Sequence, residues 1–310
     1  MSRGRRPAVA ILGAGRLARA FLPALMAAGY PLAGIASRTP GSARKLVRGI
    51  RGARVAASPE AAVERAALVL LAVPDREIAP LARRLARRMP SGWRLRTVLH
   101  HAGALGPSPL TPLSRLGAAV GVMHPMQVLG RSRAAGAALP GSRARIEGDP
   151  RAARIARRLA LDLGLVPVRF ARPLGPKGRA AWHAAASLAS NDLVALVSLA
   201  VETLGAVGLR EPEALKALLP IARGTLDQLA AGGIEGALTG PVARGDVATL
   251  ISQLVALRGA CPEAAEAHRV LALRLLGIAE ARGGLAGSPR SRLRGALEAP
   301  RRGRRRRAGV

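Results

Sequence analysis

Apolar residues follow two rhythms along this chain, and the change between them falls near residue 172. The first half alternates short unbroken apolar runs with longer amphipathic stretches. Residues 8–12 (AVAIL) form the kind of run that a strand buried on both faces needs. Gly13-Ala14-Gly15 interrupts it, residues 16–28 resume with helical spacing, and Gly29 follows as a C-cap glycine. A second strand is expected at 32–37, a helix near 41–48 and a short strand at 54–56. Ser58-Pro59-Glu60 carries a helix start: a capping hydroxyl, a proline at the first helical position and an acid in the first turn. Residues 68–73 (LVLLAV) are a strand, and Pro74-Asp75 opens a helix over 75–88 with Ile78, Leu81 and Leu85 on one face. Further strands are expected at 97–100, 118–123, 144–147 and 166–170, with a helix at 151–163. After Pro173 the strand signals stop, and helical patterns cover 177–207, 211–231, 246–258 and 262–281.

That alternation predicts an α/β fold, a Rossmann-like doubly wound and mostly parallel sheet followed by a smaller all-helical domain. The expected domains are a basic N-terminal extension (1–7), the α/β domain (8–172), the helical domain (173–283) and an Arg-rich tail (284–310) read as disordered. No internal repeat is visible.

Charge first points elsewhere. The 310 residues carry a net charge of +31, which suggests nucleic acid. However, only three of the 49 basic residues are lysine, and Ala, Gly, Pro and Arg dominate throughout, so arginine stands where other chains use lysine. Aromatics are too few for a base-stacking platform. The tail, with nine Arg against Glu298 and ending in RRGRRRR at 301–307, is the one segment suited to nucleic acid or an anionic surface, and that role is not the favoured one. Apolar runs such as 66–73 and 193–201 fall short of the roughly 18 residues that span a bilayer. Arg16 and Arg19 interrupt the one N-terminal stretch that could pass for a signal peptide. A cytoplasmic protein with no membrane partner is expected. The single Cys261 excludes an internal disulfide, and the five histidines are not at metal-ligand spacing, so no metal site is expected.

The chemistry sits in a few short strings. Gly13-Ala14-Gly15-Arg16-Leu17-Ala18 is a GxGxxA turn between a strand and a helix at the start of a βαβ unit, the context in which helix N–H groups cradle a pyrophosphate. An Asp or Glu about 20 residues on would hold the ribose hydroxyls of NAD. This chain instead reads Ser37-Arg38-Thr39, a guanidinium between two hydroxyls, which suits the 2′-phosphate of NADP. In 177–192 (KGRAAWHAAASLASND), Arg179, His183, Ser187 and Asn191 are four apart and form one helical ridge. The ridge faces either solvent or a site. His183 could supply the proton that hydride transfer to a carbonyl or imine requires. His100-His101 and His124 end strands, where open α/β sheets bind ligands. Arg244 could hold a substrate carboxylate or phosphate, and Asp246 reads as a helix N-cap beside it.

In order, GAGRLARAFLPALMAAG, LLAVPDREI, LHHAGALG, GVMHPMQ, AAWHAAASLASN and LTGPVARGD resemble a bacterial family of NADP oxidoreductases inferred from sequence. That family joins a Rossmann-like domain to a helical C-terminal domain of unknown function. Its plan is similar to those of ketopantoate reductase, pyrroline-5-carboxylate reductase and the deazaflavin-dependent NADP oxidoreductases. The resemblance implies an NADP-binding first domain, a helical domain that pairs two subunits as a homodimer, and an active cleft between domains. Expected cofactor contacts are Gly13, Ala14, Gly15, Arg16, Leu17, Ser37, Arg38, Thr39, Val73, Pro74 and His101. Expected substrate contacts are His124, Ser187, Arg244 and Asp246. Expected catalytic residues are His183, Asn191 and Arg179. The family's turn hydroxyl is replaced by Ala102. Arg179 or Lys177 must stand for the lysine of characterised relatives, but an arginine cannot donate a proton at neutral pH. The reading is therefore an NADP-dependent oxidoreductase acting on a small keto or imino acid. A nucleotide-binding regulatory or scaffold protein without catalysis is the alternative.

Overall fold

The computed structural model describes residues 6–50, 52–130, 138–283, 285 and 287–298. The RRGRRRR string and Arg3 and Arg5 lie outside the described residues. Contacts divide the chain into two units, 1–189 and 190–310.

The first unit is built on seven strands: β1 (Val9–Leu12), β2 (Leu32–Ala36), β3 (Leu68–Leu71), β4 (Thr97–His100), β5 (Ala119–Pro125), β6 (Arg143–Gly148) and β7 (Val166–Pro167). They lie in the order β2-β1-β3-β4-β5-β6-β7, and every neighbouring pair is parallel except β5–β6. Side chains alternate between the faces of a strand, and here both faces are covered. Val9, Ile11, Leu68, Leu70 and Leu99 pack into one core with Phe21 and Leu22 of α1 (Arg16–Ala27) and Leu159 of α6 (Pro150–Asp162). Ala10, Leu12, Val69, Leu71 and Val98 pack into the other with Val63 of α3 (Pro59–Glu64) and Ile78 and Leu85 of α4 (Asp75–Arg88). Between these lie α2 (Pro40–Val47) and the short α5 (Thr111–Ser114). This is the expected doubly wound sheet.

Two expected strands shrink. Residues 54–56 contribute only an isolated bridge from Val55 to Ile35, because the chain turns into α3 a few residues later. The strand at 166–170 is shortened to Val166–Pro167, with one further backbone bond from the Val168 N–H to the Ala144 carbonyl at 2.9 Å. The N-terminal extension is anchored rather than free at Arg6. Its guanidinium reaches Asp162 at 2.5 Å and lies over the Tyr30 ring, whose hydroxyl donates to the same carboxylate.

The helix expected over 177–207 is two helices, α7 (Pro176–Leu188) and α8 (Asn191–Gly205), because Ser190 leaves the helical conformation. Contacts group α7 with the sheet, past the expected division at 172. The stretch Pro176–Gly205 is nonetheless long and apolar enough, by length and composition, to cross a membrane.

The second unit holds α8, α9 (Glu211–Ala237, kinked at Gly233), α10 (Gly240–Arg244), α11 (Val247–Ala260), α12 (Pro262–Ala281) and α13 (Ser288–Glu298). Its core gathers Val242, Leu250, Leu254, Leu276, Leu293 and Leu297. The last two correct the expectation of a disordered tail from 284. Spaced four apart, they give α13 one apolar face, while Glu280 binds Arg290 and Arg294 beside it. By contrast no residue of α8 is buried, and on α9 only Ala214 is.

Candidate functional site

The carboxyl ends of the parallel strands set the expected residues out in a row. Following the sheet order, β2 leads into Ser37-Arg38-Thr39, β1 into Gly13-Ala14-Gly15 and β3 into Val73-Pro74. All eight line one cleft of about 720 Å³, with Ser42, Ser58, Arg76 and Arg84 adding to its wall. Gly13 adopts φ +116°, and a β-carbon there would lie 2.6 Å from the carbonyl carbon of Ala72. Glycine is thus required twice over, by the turn and by the close approach of β3. Gly15 is the N-cap of α1 and offers no side chain to its first turn, so those N–H groups remain for a ligand. Arg16 lies on a separate shallow depression with Ala14, Gly15 and Arg19. Leu17 packs against the core instead. An anion cradle at one strand end and an acid-free Ser-Arg-Thr turn at the next fit a dinucleotide with an extra phosphate. Among the described residues, no cluster of three His, Cys, Asp or Glu side chains could hold a metal ion.

Further along the same edge, β4 and β5 end in histidines. His100 is buried and structural: its Nδ1 accepts from the Ala102 N–H at 3.2 Å, so its Nε2–H donates to the Gly106 carbonyl at 2.9 Å. His101, an expected cofactor contact, is nearly buried, and its Nε2 has no hydrogen-bond partner among the described residues. It is 8% exposed, its Nδ1–H donates to the Met123 carbonyl at 2.6 Å, and Phe21 meets its ring edge-on. Burial pushes its pKa down to about 3.

His124 and His183 do come together. Their rings meet edge-to-face with centroids 6.0 Å apart. Both crowd Gly103, where a β-carbon would abut His183 Nδ1 and lie 2.9 Å from His124 Nε2. The neighbouring Trp182 turns its indole N–H to His124 Nδ1 at 3.2 Å and packs edge-on against Phe170. Burial, helped by Arg145 and His183, holds the His124 pKa down at about 4. His183 is exposed on α7, one turn from Ser187.

Arg179, an expected catalytic residue, is engaged elsewhere. Its guanidinium binds Glu147 at 3.1 Å and the Leu174 carbonyl at 2.6 Å. Glu147 also pairs with Arg145, a fully buried arginine on β6. One nitrogen of Arg145 reaches the carbonyls of Ala102, Gly103 and Leu105 at 2.9–3.2 Å. Arg145 and Glu147 thus hold the loop that carries Gly103. Sequence reasoning missed them, because an arginine carries no signal in a chain with 49 basic residues.

The remaining expected residues belong to the second unit. Asn191 opens α8 and is exposed, so the four-residue ridge is cut to Arg179, His183 and Ser187. Asp246 is the N-cap of α11: its carboxylate accepts from the Thr249 N–H at 3.0 Å and the Thr249 hydroxyl at 2.6 Å. These bonds hold its pKa below the usual range. Both oxygens serve the cap. Arg244 is exposed at the end of α10.

The model of a Rossmann-like domain matches residues 2–125, and that of the domain of unknown function DUF2520 matches residues 142–275. No curated protein matches the chain. Among solved structures, protein TM1727 from Thermotoga maritima is 25% identical, with a TM-score of 0.65 over 89% of this chain and 99% of that one. BF3122 of Bacteroides fragilis, whose name suggests an NADP oxidoreductase, is 21% identical with a TM-score of 0.67 over 88% and 99%. A reductive aminase from Aspergillus terreus, solved with NADPH and ethyl-5-oxohexanoate, is 22% identical with a TM-score of 0.54 over 93% and 98%. The chain is a Rossmann-like protein that carries a C-terminal DUF2520 domain.

Proposed function

We propose that the protein is an NADP-dependent oxidoreductase that passes hydride between NADPH and a small keto or imino acid. The observation that carries this reading is the order of groups along one sheet edge. The Ser37-Arg38-Thr39 turn, the Gly13–Gly15 cradle, Val73-Pro74, Gly103 and His124 follow one another over the four steps from β2 to β5, about 19 Å at the usual strand spacing. The cleft lies at the phosphate-binding end, and the histidines follow at the next two strand ends along the same edge. The NADPH complex of the similarly folded reductive aminase supports the choice of cofactor.

The cofactor would supply the hydride. The chain's own residues do the rest. The first-turn N–H groups of α1 hold the pyrophosphate, and Arg38 with its flanking hydroxyls binds the 2′-phosphate. His183 holds the proton for the reduced oxygen or nitrogen, with Ser187 and His124 beside it on the substrate.

In support of a homodimer through the helical domain, Val194, Val207, Ile221, Ile234 and Val255 are all exposed by more than half. A cytoplasmic location goes with this reading.

Stopped-flow oxidation of NADPH over a panel of keto acids, with and without amines, tests it. Turnover that His183→Ala removes while NADPH still binds is the expected result. Tight NADPH binding without turnover on any substrate contradicts catalysis and leaves a nucleotide-binding regulatory protein.

A further inference from the structure

The imidazole of His124 has one neighbour whose hydrogen-bonding role is fixed by its chemistry. An indole nitrogen can only donate. Trp182 Nε1 lies 3.2 Å from His124 Nδ1, so that imidazole nitrogen is an acceptor and bears no proton. The neutral ring then carries its proton on Nε2, the nitrogen that faces Gly103 and His183. Trp182 is held in turn by its edge-on contact with Phe170.

We infer that Trp182 is the positioning residue of this site: its indole N–H fixes His124 as the Nε2–H tautomer, which presents a neutral donor to an acceptor oxygen of the substrate over Gly103. The tautomer follows from the geometry alone, whereas its use on a substrate rests on the oxidoreductase reading. The two imidazoles thereby differ in kind. His183 is exposed on α7. His124 lies on β5 among Arg145 and Glu147 of β6, His100 of β4, and Arg179 and His183 of α7, and it works by orientation. A carboxylate or keto oxygen is the matching partner, since a lone N–H donor satisfies an acceptor and rejects an ammonium group. Gly103 has a reason to be glycine here: any side chain would occupy the space between the two rings.

The test is the imidazole nitrogen spectrum of the full chain labelled at histidine, recorded near neutral pH, with His124 identified by its loss in His124→Gln. The expected signature is a pyridine-type Nδ1 and a pyrrole-type, proton-bearing Nε2. In Trp182→Phe, which keeps an aromatic edge against Phe170 and removes the N–H, the two resonances move toward each other as tautomer exchange begins. A pyridine-type Nε2 in the parent chain overturns the inference, whether or not the variant folds. So does a spectrum unaltered in a folded Trp182→Phe. In a second arm, oxamate, an unreactive keto-acid analogue, is titrated with NADPH present. The His124 Nε2 proton is expected to shift downfield in the parent and less in Trp182→Phe. A resonance indifferent to oxamate overturns the donor role toward substrate while leaving the tautomer assignment standing. The NADPH oxidation panel judges the oxidoreductase reading independently of both arms.

Discussion

Gly13 packs its α-carbon against the backbone of Ala72, with the nearest carbonyl carbon only 2.6 Å from where a β-carbon would stand. The turn after β1 and the end of β3 are therefore in contact at the point where the sheet reverses its winding, and the space beyond is the proposed pyrophosphate seat. Gly13→Ala would meet both a positive φ and the Ala72 carbonyl. It is expected to abolish saturable NADPH binding and to lower stability by about 2–3 kcal/mol. Calorimetric titration and urea unfolding read the two effects, and parent-like binding in the variant contradicts this placement of the cofactor.

Arg145 joins strand β6 to the loop after β4 through three carbonyls and pairs with Glu147 at the same time. Burial works against its charge, and the carboxylate beside it sustains the charge. Removing a buried ion-pair partner leaves an uncompensated charge, so Arg145→Met should cost about 3–5 kcal/mol. Arg179→Met, which removes a partner from the edge of the same cluster, should cost less. Urea midpoints of the two variants decide it, and equal losses contradict the view of Arg145 as the central support.

The buried imidazoles make stability depend on pH. His101 in the folded chain gains its proton only near pH 3 because burial disfavours the cation, and His124 does so near pH 4. In the unfolded chain both gain it near pH 6.5. Between these limits the unfolded state binds more protons, so stability present above pH 6.5 is lost on acidification, by about 1.4 kcal/mol per pH unit from His101 alone. Denaturation midpoints measured from pH 7 to pH 4 should fall accordingly, and His101→Gln should flatten that limb. An unchanged slope in the variant contradicts the assignment of His101 to the core.

The last helix shows what arginine abundance conceals. The stretch from 284 reads as a solvated tail because its charges outnumber everything else, yet Leu293 and Leu297 are fully buried against α11 and α12. Leu293→Ala is expected to destabilise the second unit by about 2–5 kcal/mol, and Leu297→Ala similarly. Thermal unfolding monitored by circular dichroism checks this. Losses below about 0.5 kcal/mol would return the segment to the status of a tail.

Most of the first unit is legible in the sequence, because parallel strands buried on both faces leave unbroken apolar runs and the turns between them are marked by Gly, Pro and capping residues. The Gly13 turn and Ser37-Arg38-Thr39 are legible for the same reason: local chemistry defines them. The polar ridge is only partly so. Spacing places Asn191 with His183, but Ser190-Asn191-Asp192 is also a run of residues suited to a helix start, and the chain uses it as one. His100 and His101 look alike at a strand end in sequence, while the pleat sends them to opposite faces. The indole–imidazole bond of Trp182 and His124 joins residues 58 positions apart, and no local pattern announces it.

Equilibrium titration of the full chain with NADPH and with NADH bears most directly on the proposed function. NADPH is expected to bind at least about tenfold more tightly than NADH, and Arg38→Gln is expected to erase that preference by weakening NADPH alone, as the loss of a charge-assisted phosphate contact should. NADH binding as tightly as NADPH in the parent chain, or neither nucleotide binding, would contradict it.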